Sequence, residues 1–223
     1  MYSEAVEDYL KAIYEIQQGQ GRVSTSALAE RLRVAPPSAT NMVKKLANLQ
    51  LVEYKPYRGV ILTQAGDRIA VELIRRHRLM ETFLVQVLDL EWDQVHAEAD
   101  RLEHVLSPHI EERIDALLGS PTADPHGAPI PTREGTVSSR DQMRLTELES
   151  GRPAAVTEVN DRNPDLLRYL GNIGIVPNED IAVLDETTLM GPIHVHVAGA
   201  THLVDREVAE YVMVTATAVA TDA

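Results

Sequence analysis

The first 63 residues contain an order of patterns that few folds accommodate. Apolar side chains recur at helical spacing in three segments: residues 4–17, 25–33 and 37–49. The second and third segments are separated by a Val-Ala-Pro-Pro break, and proline is tolerated in the first turn of a helix. Two short β-like runs then flank a turn at Pro56 and Gly59. This order predicts a winged helix-turn-helix over residues 1–63.

Longer helical patterns follow. Apolar stripes suited to packing in a bundle or a dimer predict three helices: about 64–88, 93–106 and 108–118. Residues 119–135 hold four prolines and three glycines, which predicts a loop. We therefore expect a helical dimerisation domain over residues 64–136, with a linker at 137–150.

The last third of the chain changes from helical to β-rich patterns. Its predicted strands are residues 154–159, 180–186, 193–199, 201–205 and 211–219. A single helical segment, residues 164–171, interrupts them. Many brief strands with one helix predict a small SH3-like β-barrel over residues 151–223. The expected fold class is thus mainly α with β, in the order winged helix-turn-helix, helical dimerisation domain and SH3-like barrel.

The formal net charge of −13 is unevenly distributed. Residues 1–80 hold 12 Lys/Arg and 8 Asp/Glu, a formal +4, and residues 81–223 hold 9 and 26, a formal −17. A basic N-terminal part and an acidic C-terminal part indicate a protein that contacts nucleic-acid phosphate with its N-terminal part only. The absence of cysteine excludes disulfides and thiolate ligands and fits a cytoplasmic protein. No apolar segment reaches the ~20 residues of a membrane helix, so no membrane partner is expected.

Metal-capable side chains are concentrated in two of the predicted helices. Within the helix predicted at 93–106 these are His96, Asp100, Glu103 and His104, and the preceding helix adds His77 and Glu81. Residues three or four apart are neighbours on a helix, so each set forms one polar stripe beside the apolar stripe. Antiparallel packing would bring the sets together. The alternative is a solvated face with ordinary histidines, but six donors at matching spacing favour a divalent metal.

Asp8 lies off the face of the first helix that carries Val6 and Leu10. It therefore points either to solvent or to a metal at the domain junction. In the second case one ion would tie the first helix to the central helices. His194 and His196 share a strand face without a third ligand nearby, which favours a structural or surface role. Surface positions are also expected for three further histidines: His109, His126 and His202.

The third helical segment is the candidate DNA reader. In a helix-turn-helix the second helix places its N-terminal residues against base edges in the major groove. Apolar contacts to thymine methyls, hydrogen bonds to bases and contacts to phosphate are expected from Ala35, Pro36, Pro37, Ser38, Thr40, Asn41, Lys44, Lys45 and Arg58. Asn41 is suited to adenine, whereas the lysines and Arg58 are suited to phosphate. The alternative is a winged helix used for protein contacts.

Several stretches together resemble the diphtheria toxin repressor family of metal-dependent regulators, in its manganese-responsive branch. They are EDYLKAIYEI, APPSATNMVKKL, YRGVILTQAG, HRLMETFL, VHAEADRLEHVLS and GAPIP. The resemblance implies a homodimeric repressor of metal-uptake genes that binds double-stranded operator DNA when Mn²⁺ is bound. It also implies the three modules described above, with the metal sites in the helical domain.

Carried over by position, the resemblance implies two metal sites. The regulatory site would comprise Asp8, Asp100, Glu103 and His104. The ancillary site would comprise His77, Glu81 and His96, completed from the C-terminal domain by Asp165 or, as second choice, Asp161. Iron-responsive members use sulfur donors where this chain has Asp8 and Asp100, so its nitrogen and oxygen donors favour Mn²⁺, with Fe²⁺ as the alternative. Some manganese-responsive members have an acidic residue where this chain has Lys11.

Two other classes of function compete with this interpretation. A metal-dependent hydrolase also uses histidines and carboxylates, but the sequence offers no separate nucleophile motif and no phosphate loop. A structural metal with constitutive DNA binding is the third possibility, and a metal titration against operator DNA distinguishes it from a sensor.

Overall fold

The computed structural model describes residues 2–185 and 191–217. These form two compact units, of which the first contains the described residues up to 77 with 101–108 and 131–137. The second contains 78–100, 109–130 and the described residues from 138 onward. The predicted strand ends at 186 and 218–219 lie outside the described residues, as do residue 1 and the other positions of the expected C-terminal domain at 187–190 and 220–223.

The first unit begins as a winged helix-turn-helix. Its elements are α1 (Glu4–Gln20), α2 (Thr25–Arg31), α3 (Pro36–Asn48), β1 (Val52–Lys55), β2 (Gly59–Leu62) and the start of α4 (Gln64–Gln86). The Ser24 hydroxyl caps α2 by accepting a hydrogen bond from the Ala27 N–H at 3.0 Å, and prolines occupy the first turn of α3. Leu10, Ile13 and Leu28 are fully buried in its core. The sequence predicted each of these elements to within a few residues.

The wing is an antiparallel hairpin whose register runs from Val52 opposite Leu62 to Lys55 opposite Gly59. Val23 adds a third backbone partner by exchanging hydrogen bonds of 2.9 and 2.8 Å with Val60. Gly59 has a φ of 86°, and a Cβ there would lie 2.6 Å from the carbonyl oxygen of Val23. This position therefore requires glycine both for its backbone angle and for lack of space.

The second unit contains the remainder of α4, most of α5 (Val95–Leu102) and α6 (Pro108–Leu117), and a sheet with two further helices. The sheet strands are β3 (Met143–Arg144), β4 (Pro153–Val159), β5 (Asp180–Asp185), β6 (Ile193–Val197), β7 (Ala200–Val204) and β8 (Val212–Ala216). They pair in the order β3-β8-β4-β5-β6-β7, and every pair is antiparallel. The added helices are α7 (Pro164–Asn172) and the short α8 (Arg206–Ala209).

Alternation along the strands decides which side chains enter the core of this sheet. Val195 and Val197 are buried, whereas His194 and His196 lie on the opposite face of β6. The amphipathic helix α7 buries Leu167 and Leu170 in the same core. Among the described residues, no helix has both the length and the apolar character needed to cross a membrane.

The structure differs from the sequence prediction at the end of α5. The predicted helix ran to residue 106, whereas α5 ends at Leu102 and residues 103–105 form a turn. Pro108 opens α6, and a proline disfavours helical backbone at the residue before it, so the two helices do not merge. Glu103 and His104 are therefore turn residues. The sequence did not predict β3 or α8, because two and four residues are too few to show a periodic pattern.

We expect Gly59→Ala to lower the free energy of unfolding by about 2 kcal/mol more than Gly21→Ala. Both glycines have positive φ, but a Cβ at Gly21 meets nothing within 4 Å, whereas one at Gly59 meets the Val23 carbonyl. Comparing the two variants thus separates the loss of stability due to the positive φ from the loss due to the steric contact. Urea unfolding of both variants measures the difference, and equal losses would contradict the steric argument.

Candidate metal centres and nucleic-acid interface

The first candidate metal centre combines α1 with the turn after α5. Asp8, Glu103 and His104 place ligand atoms within 4.8 Å of one another. His104 Nε2 lies 2.9 Å from Asp8 Oδ1 and 3.8 Å from Glu103 Oε1. The Glu103 side chain is 1% exposed, whereas that of Asp8 is 46% exposed. We call this set the N-terminal cluster.

Glu7 supports this cluster and was not among the predicted site residues. Its Oε2 lies 2.8 Å from His104 Nδ1, and its side chain is 12% exposed. A carboxylate on one imidazole nitrogen holds a proton there and leaves the other nitrogen for a metal. Little in the sequence signals this role, because adjacent residues of a helix point in different directions.

The charges of the N-terminal cluster act on one another. Burial alone would lower the pKa of His104, but the hydrogen bond to Glu7 and the charge of Asp8 raise it above its ordinary value. Burial raises the pKa of the Asp8 carboxyl, and the His104 charge offsets this only in part. His104 thus lies between two carboxylates that favour its protonated form.

Two of the predicted ligands have contacts that the sequence did not indicate. His77 Nδ1, on α4, lies 2.5 Å from Glu103 Oε2 and 2.9 Å from Lys11 Nζ within the first unit. Asp100 has a half-exposed side chain that lies 3.8 Å from His96 Nε2 in the second unit. Both residues remain predicted metal ligands.

The second candidate metal centre lies entirely within the second unit. Glu81 on α4, His96 on α5 and Asp161 after β4 place ligand atoms within 4.8 Å of one another. His96 Nδ1 lies 3.1 Å from Glu81 Oε1 and 3.5 Å from Asp161 Oδ2. The predicted antiparallel approach of the two helical donor sets is thus seen for Glu81 and His96.

The structure reverses the order of the two C-terminal candidates. Asp165, the first choice, has a 90% exposed side chain that pairs with Arg168 at 3.0 Å in the first turn of α7. Asp161, the second choice, is the one that reaches His96. Asp161 precedes the Asn163 cap in the loop between β4 and α7, whereas Asp165 lies on the solvent face of the helix.

Sequence reasoning missed two members of this centre, Asp124 and His126. Their ligand atoms lie within 4.8 Å of one another and of Glu81. The expectation that His126 lies at the surface is wrong, because its side chain is 0% exposed. Both residues lie in the Pro- and Gly-rich loop, where no periodicity indicates which side chains point inward. The only signal that the sequence offered for these two residues was their position just before the Gly-Ala-Pro-Ile-Pro stretch. Together with Glu81, His96 and Asp161 they form what we call the loop cluster.

The loop that carries Asp124 and His126 is fixed by its own backbone. Asp124 Oδ1 accepts hydrogen bonds from the His126 and Ala128 N–H groups at 2.9 and 3.0 Å. The carbonyl of His126 accepts a further bond at 2.9 Å from the N–H of Val159, at the end of β4. Gly127 has a φ of 90°, and a Cβ there would lie 2.0 Å from the Thr157 carbonyl oxygen. At position 127 the loop therefore packs so closely against β4 that no side chain can be accommodated there.

The orientation of His126 fits a metal ligand. Its Nε2–H donates to the carbonyl of Trp92 at 2.8 Å, so in the neutral ring the lone pair lies on Nδ1. Nδ1 lies 3.7 Å from Glu81 Oε2 and finds no hydrogen-bond partner among the described residues. The buried Asp124 Oδ2 is likewise without a hydrogen bond from the described part of the chain. Buried polar atoms are rarely left without a hydrogen bond, and a cation between these donors would satisfy them.

The loop cluster has strongly altered proton affinities. Burial opposes protonation of His96, but hydrogen bonds to Asp161 and Glu81 raise its pKa to about 10. Burial likewise opposes protonation of His126, whose pKa is raised to about 9 by Glu81 and then by Asp124 and Asp161. Burial and the charge of Glu81 raise the pKa of Asp124 to about 7. The cluster thus holds protons that a metal ion must displace.

The predicted DNA-reading residues lie on one exposed part of the first unit. Eight are exposed: Ala35, Pro36, Pro37, Ser38, Asn41, Lys44, Lys45 and Arg58. Thr40 is half-buried, and its hydroxyl donates to the carbonyl of Pro36 at 3.0 Å. A cavity of about 540 Å³ lies between α3 and the wing, lined by Ser24, Thr25, Ser26, Thr40, Lys44, Tyr54, Pro56, Tyr57 and Gly59. Its hydroxyls and its lysine are suited to phosphate, and the three hydroxyl residues of the α2 start were not predicted.

Comparison with known proteins identifies the family. The iron-dependent repressor IdeR of Mycobacterium tuberculosis (strain ATCC 25618 / H37Rv) is 35% identical over 208 residues, which cover 88% of this chain and 90% of IdeR. The chain belongs to the iron-dependent repressor family. The matching family profiles are the iron dependent repressor N-terminal DNA binding domain over residues 1–60, the iron dependent repressor metal binding and dimerisation domain over 63–132, and the FeoA domain over 143–216.

Two further matches are a transcriptional regulator and a solved structure. The HTH-type transcriptional regulator MntR of Oceanobacillus iheyensis is 36% identical over 118 residues, 53% of this chain and 80% of MntR. A solved structure described as a manganese-dependent transcriptional repressor in complex with manganese has a TM-score of 0.90 at 39% identity, covering 95% of this chain and all of that one. The expected family and fold class are thus confirmed. As a member of this family the chain is a metal-dependent DNA-binding transcriptional repressor, and the hydrolase alternative is wrong.

We expect Mn²⁺ binding at the loop cluster to release more than one proton at about pH 7, because both imidazoles are protonated there before an ion binds. The apparent affinity should therefore increase with pH. Both folded-state pKa values lie above the unfolded value of 6.5, so the stability that these protons add to the metal-free protein is complete below about pH 6.5 and is lost as the pH rises through 9 to 10. Calorimetric titration in two buffers of different ionisation enthalpy counts the protons.

Trp92, the only tryptophan, reports on the same event because its ring stacks on His126 with centroids 5.7 Å apart. His126→Ala should remove both the fluorescence response to Mn²⁺ and part of the proton release. The matched control is His109→Ala, an exposed histidine on α6. Equal proton release from the His126→Ala variant and the control would contradict the assignment.

Proposed function

We propose that this protein is a cytoplasmic, homodimeric, Mn²⁺-activated repressor that binds operator DNA upstream of metal-uptake genes. The observation that carries the proposal is the 2.9 Å contact between Asp8 Oδ1 and His104 Nε2. Asp8 belongs to the DNA-binding domain, whereas His104 belongs to the metal-binding and dimerisation domain. A divalent ion held by both would supply the positive charge that joins the two domains.

The donor chemistry of both clusters supports Mn²⁺. The N-terminal cluster offers Asp8, Glu103 and His104, two carboxylates and one imidazole. The loop cluster offers three carboxylates and two imidazoles. Carboxylate oxygen suits Mn²⁺, imidazole is shared among several first-row metals, and the absence of thiolate removes the ligands preferred by softer metals. Fe²⁺ accepts the same donors and is the alternative effector, because its availability in the cell matters as much as affinity.

The position of Asp8 explains how metal binding at the N-terminal cluster changes the orientation of the DNA-reading helix α3. Leu10 and Ile13, on the same helix, are fully buried in the core that also contains Val43 and Leu46 of α3. Packed helices move as bodies, so fixing Asp8 fixes the orientation of α3 relative to the residues that hold His104. A dimer reads two half-sites only when its two reading helices are about one DNA turn apart. A hundredfold shift toward that arrangement requires about 2.7 kcal/mol of differential metal affinity.

The exposed residues of α3 and the wing supply the DNA contacts in this proposal. Asn41 is assigned to a base edge, and Lys44, Lys45 and Arg58 to phosphates. The prolines and Ala35 at the start of α3 present apolar surface to thymine methyl groups. Thr40 is assigned the role of a hydrogen-bond acceptor, because its hydroxyl hydrogen is used by the Pro36 carbonyl and its oxygen lone pairs remain.

Asp8→Asn should raise the Mn²⁺ concentration needed for half-maximal operator binding by about a hundredfold, because the ion loses the charged ligand that ties α1 to His104. Fluorescence anisotropy of labelled operator, titrated with Mn²⁺ at fixed salt, measures this shift. The same titration with Fe²⁺ under anaerobic conditions compares the two candidate effectors.

Asp89→Asn is the matched control, since it makes the same chemical change at an exposed residue that follows α4. Sedimentation of both variants should show an unchanged dimer. If Asp8→Asn responds to Mn²⁺ like the wild type, the proposed coupling is wrong. If operator binding needs no metal in either protein, the metal is structural.

Lys44→Ala should weaken binding to all DNA sequences alike and reduce the slope of log K against log salt by about 1, because one phosphate contact is lost. Asn41→Ala should instead relax the base preference at one position of each half-site and leave the slope unchanged. Arg152→Ala, an exposed arginine before β4, is the control for lost positive charge. An unchanged slope for Lys44→Ala would exclude this lysine from the interface.

A further inference from the structure

A cavity of about 640 Å³ lies within the second unit. Its walls come from the end of α4, residues 91–93, residues 123–125, α7 and residues 176–178. Asp124 of the loop cluster is also part of these walls. Small organic ligands occupy cavities of roughly 300–1,000 Å³, so this one has a suitable size. The proposed function assigns it no role.

The indole of Trp92 brings an unused hydrogen-bond donor to the cavity wall. A Cβ on Gly171 of α7 would lie 3.1 Å from Nε1 and 3.2 Å from Cζ2, so the absence of a side chain at 171 lets this edge of the ring lie against the helix. None of the described residues accepts a hydrogen bond from Nε1–H. A tryptophan N–H usually finds a partner when it is buried, and a ligand with an acceptor group would supply one.

Asp93 brings an unused acceptor to the same wall. Its side chain is 8% exposed, and its Oδ2 lies 3.1 Å from Arg168 Nε and 3.0 Å from Nη2. Oδ1 accepts no hydrogen bond from the described part of the chain. The Nη1 group of Arg168 is directed instead to Asp165, at 3.0 Å. A buried carboxylate oxygen without a partner is unfavourable, and a positively charged donor would satisfy it.

The charges of the lining residues select the sign of the ligand. Glu91 and Asp93 are acidic, and the guanidinium of Arg168 is already paired with two carboxylates. The walls therefore attract a cation. Three exposed carboxamides also line the cavity: Gln86, Asn172 and Asn178. A carboxamide both donates and accepts, so these groups suit a ligand that has polar groups of both kinds.

We propose that this cavity is an effector site for a small organic cation that also carries a hydrogen-bond acceptor, the chemistry of a basic amino acid. The guanidinium or ammonium group of the ligand donates to Asp93 Oδ1. Its carboxylate accepts from Trp92 Nε1–H. The pair between Asp93 and Arg168 is kept, because that pair uses Oδ2.

Trp92 connects the cavity to the loop cluster. The ring that borders the cavity stacks on His126 with centroids 5.7 Å apart, and Asp124 belongs to both the cavity wall and the cluster. A cation in the cavity and a metal ion in the cluster therefore repel each other. The ligand weakens Mn²⁺ binding there, and Mn²⁺ weakens ligand binding by the same factor. This linkage rests on the proposed function, whereas ligand binding itself does not.

Calorimetry on the metal-free protein at fixed salt tests the site with two matched probes. L-arginine carries a guanidinium cation, and L-citrulline has a neutral urea group of nearly the same shape in its place. Arginine should bind saturably, one molecule per chain. Citrulline should bind at least about tenfold more weakly, because it lacks the charged donor for Asp93. Equal binding of the two probes, or no saturable binding of arginine, would overturn the inference without any variant being made.

Two variants locate the bound arginine. Asp93→Asn should weaken its binding by about tenfold, and Trp92→Phe, which keeps a ring beside His126 but removes the N–H, by about threefold. Asp141→Asn is the matched control, since it removes a carboxylate charge at an exposed residue before β3, and it should bind arginine like the wild type. Equal losses in Asp93→Asn and Asp141→Asn would indicate general attraction to an acidic protein and would exclude the cavity.

A Mn²⁺ titration followed by Trp92 fluorescence measures the linkage. Saturating arginine should raise the Mn²⁺ concentration for half-saturation of the loop cluster by about fivefold. Citrulline at the same concentration is the control, because it has the same metal-binding amino acid head group. An unchanged Mn²⁺ affinity with arginine bound would overturn the effector role. If Mn²⁺ does not bind at the loop cluster at all, the proposed metal centre is wrong, and the calorimetric result for arginine still stands.

Discussion

The need to neutralise buried carboxylates underlies both metal centres. Glu103 and Glu81 are 1% and 0% exposed, and a carboxylate out of water costs several kcal/mol unless a cation or hydrogen bonds compensate it. In the metal-free protein that compensation comes from Lys11 and from protonated histidines. In our proposal a divalent metal ion competes with these internal cations, so that the protein responds to metal and to pH together.

The two centres meet this need with different architecture. The N-terminal cluster takes Asp8 from the DNA-binding helix and Glu103 and His104 from a turn that ends α5, so its geometry depends on how α1 lies against that turn. The loop cluster draws Asp124 and His126 from a loop held against β4, and Asp161 from the residues that follow β4. Its donors are therefore fixed by backbone hydrogen bonds. The first arrangement suits a switch, and the second suits a preformed site whose occupancy supports the fold.

The residues that sequence reasoning found and those that it missed differ in their local structure. His96 and Glu81 were found because helical spacing places donors on one face, and the structure brings them to 3.1 Å. Asp124 and His126 were missed because a loop has no period from which side-chain direction can be inferred. Glu7 was missed for a related reason, since its role depends on the approach of His104 from a segment almost a hundred positions away. Sequence reasoning also ranked Asp165 above Asp161, although Asp161 is the one that reaches His96. The sequence does not show this, because the orientation of a loop is set by what it packs against.

The sequence by itself determined the order of elements, the winged helix and the helical donor sets, because apolar periodicity and proline or glycine breaks are local properties of the chain. It also determined which ligand atoms are available to a metal, since the absence of cysteine and the presence of carboxylate and imidazole are facts of composition. Only the tertiary structure decided that Lys11 contacts Glu103, that His126 is buried beneath Trp92, and that the turn after α5 carries two of the candidate ligands. Each of these depends on contacts between segments far apart in the chain. Such contacts are selected by the packing of the whole core and leave no local pattern.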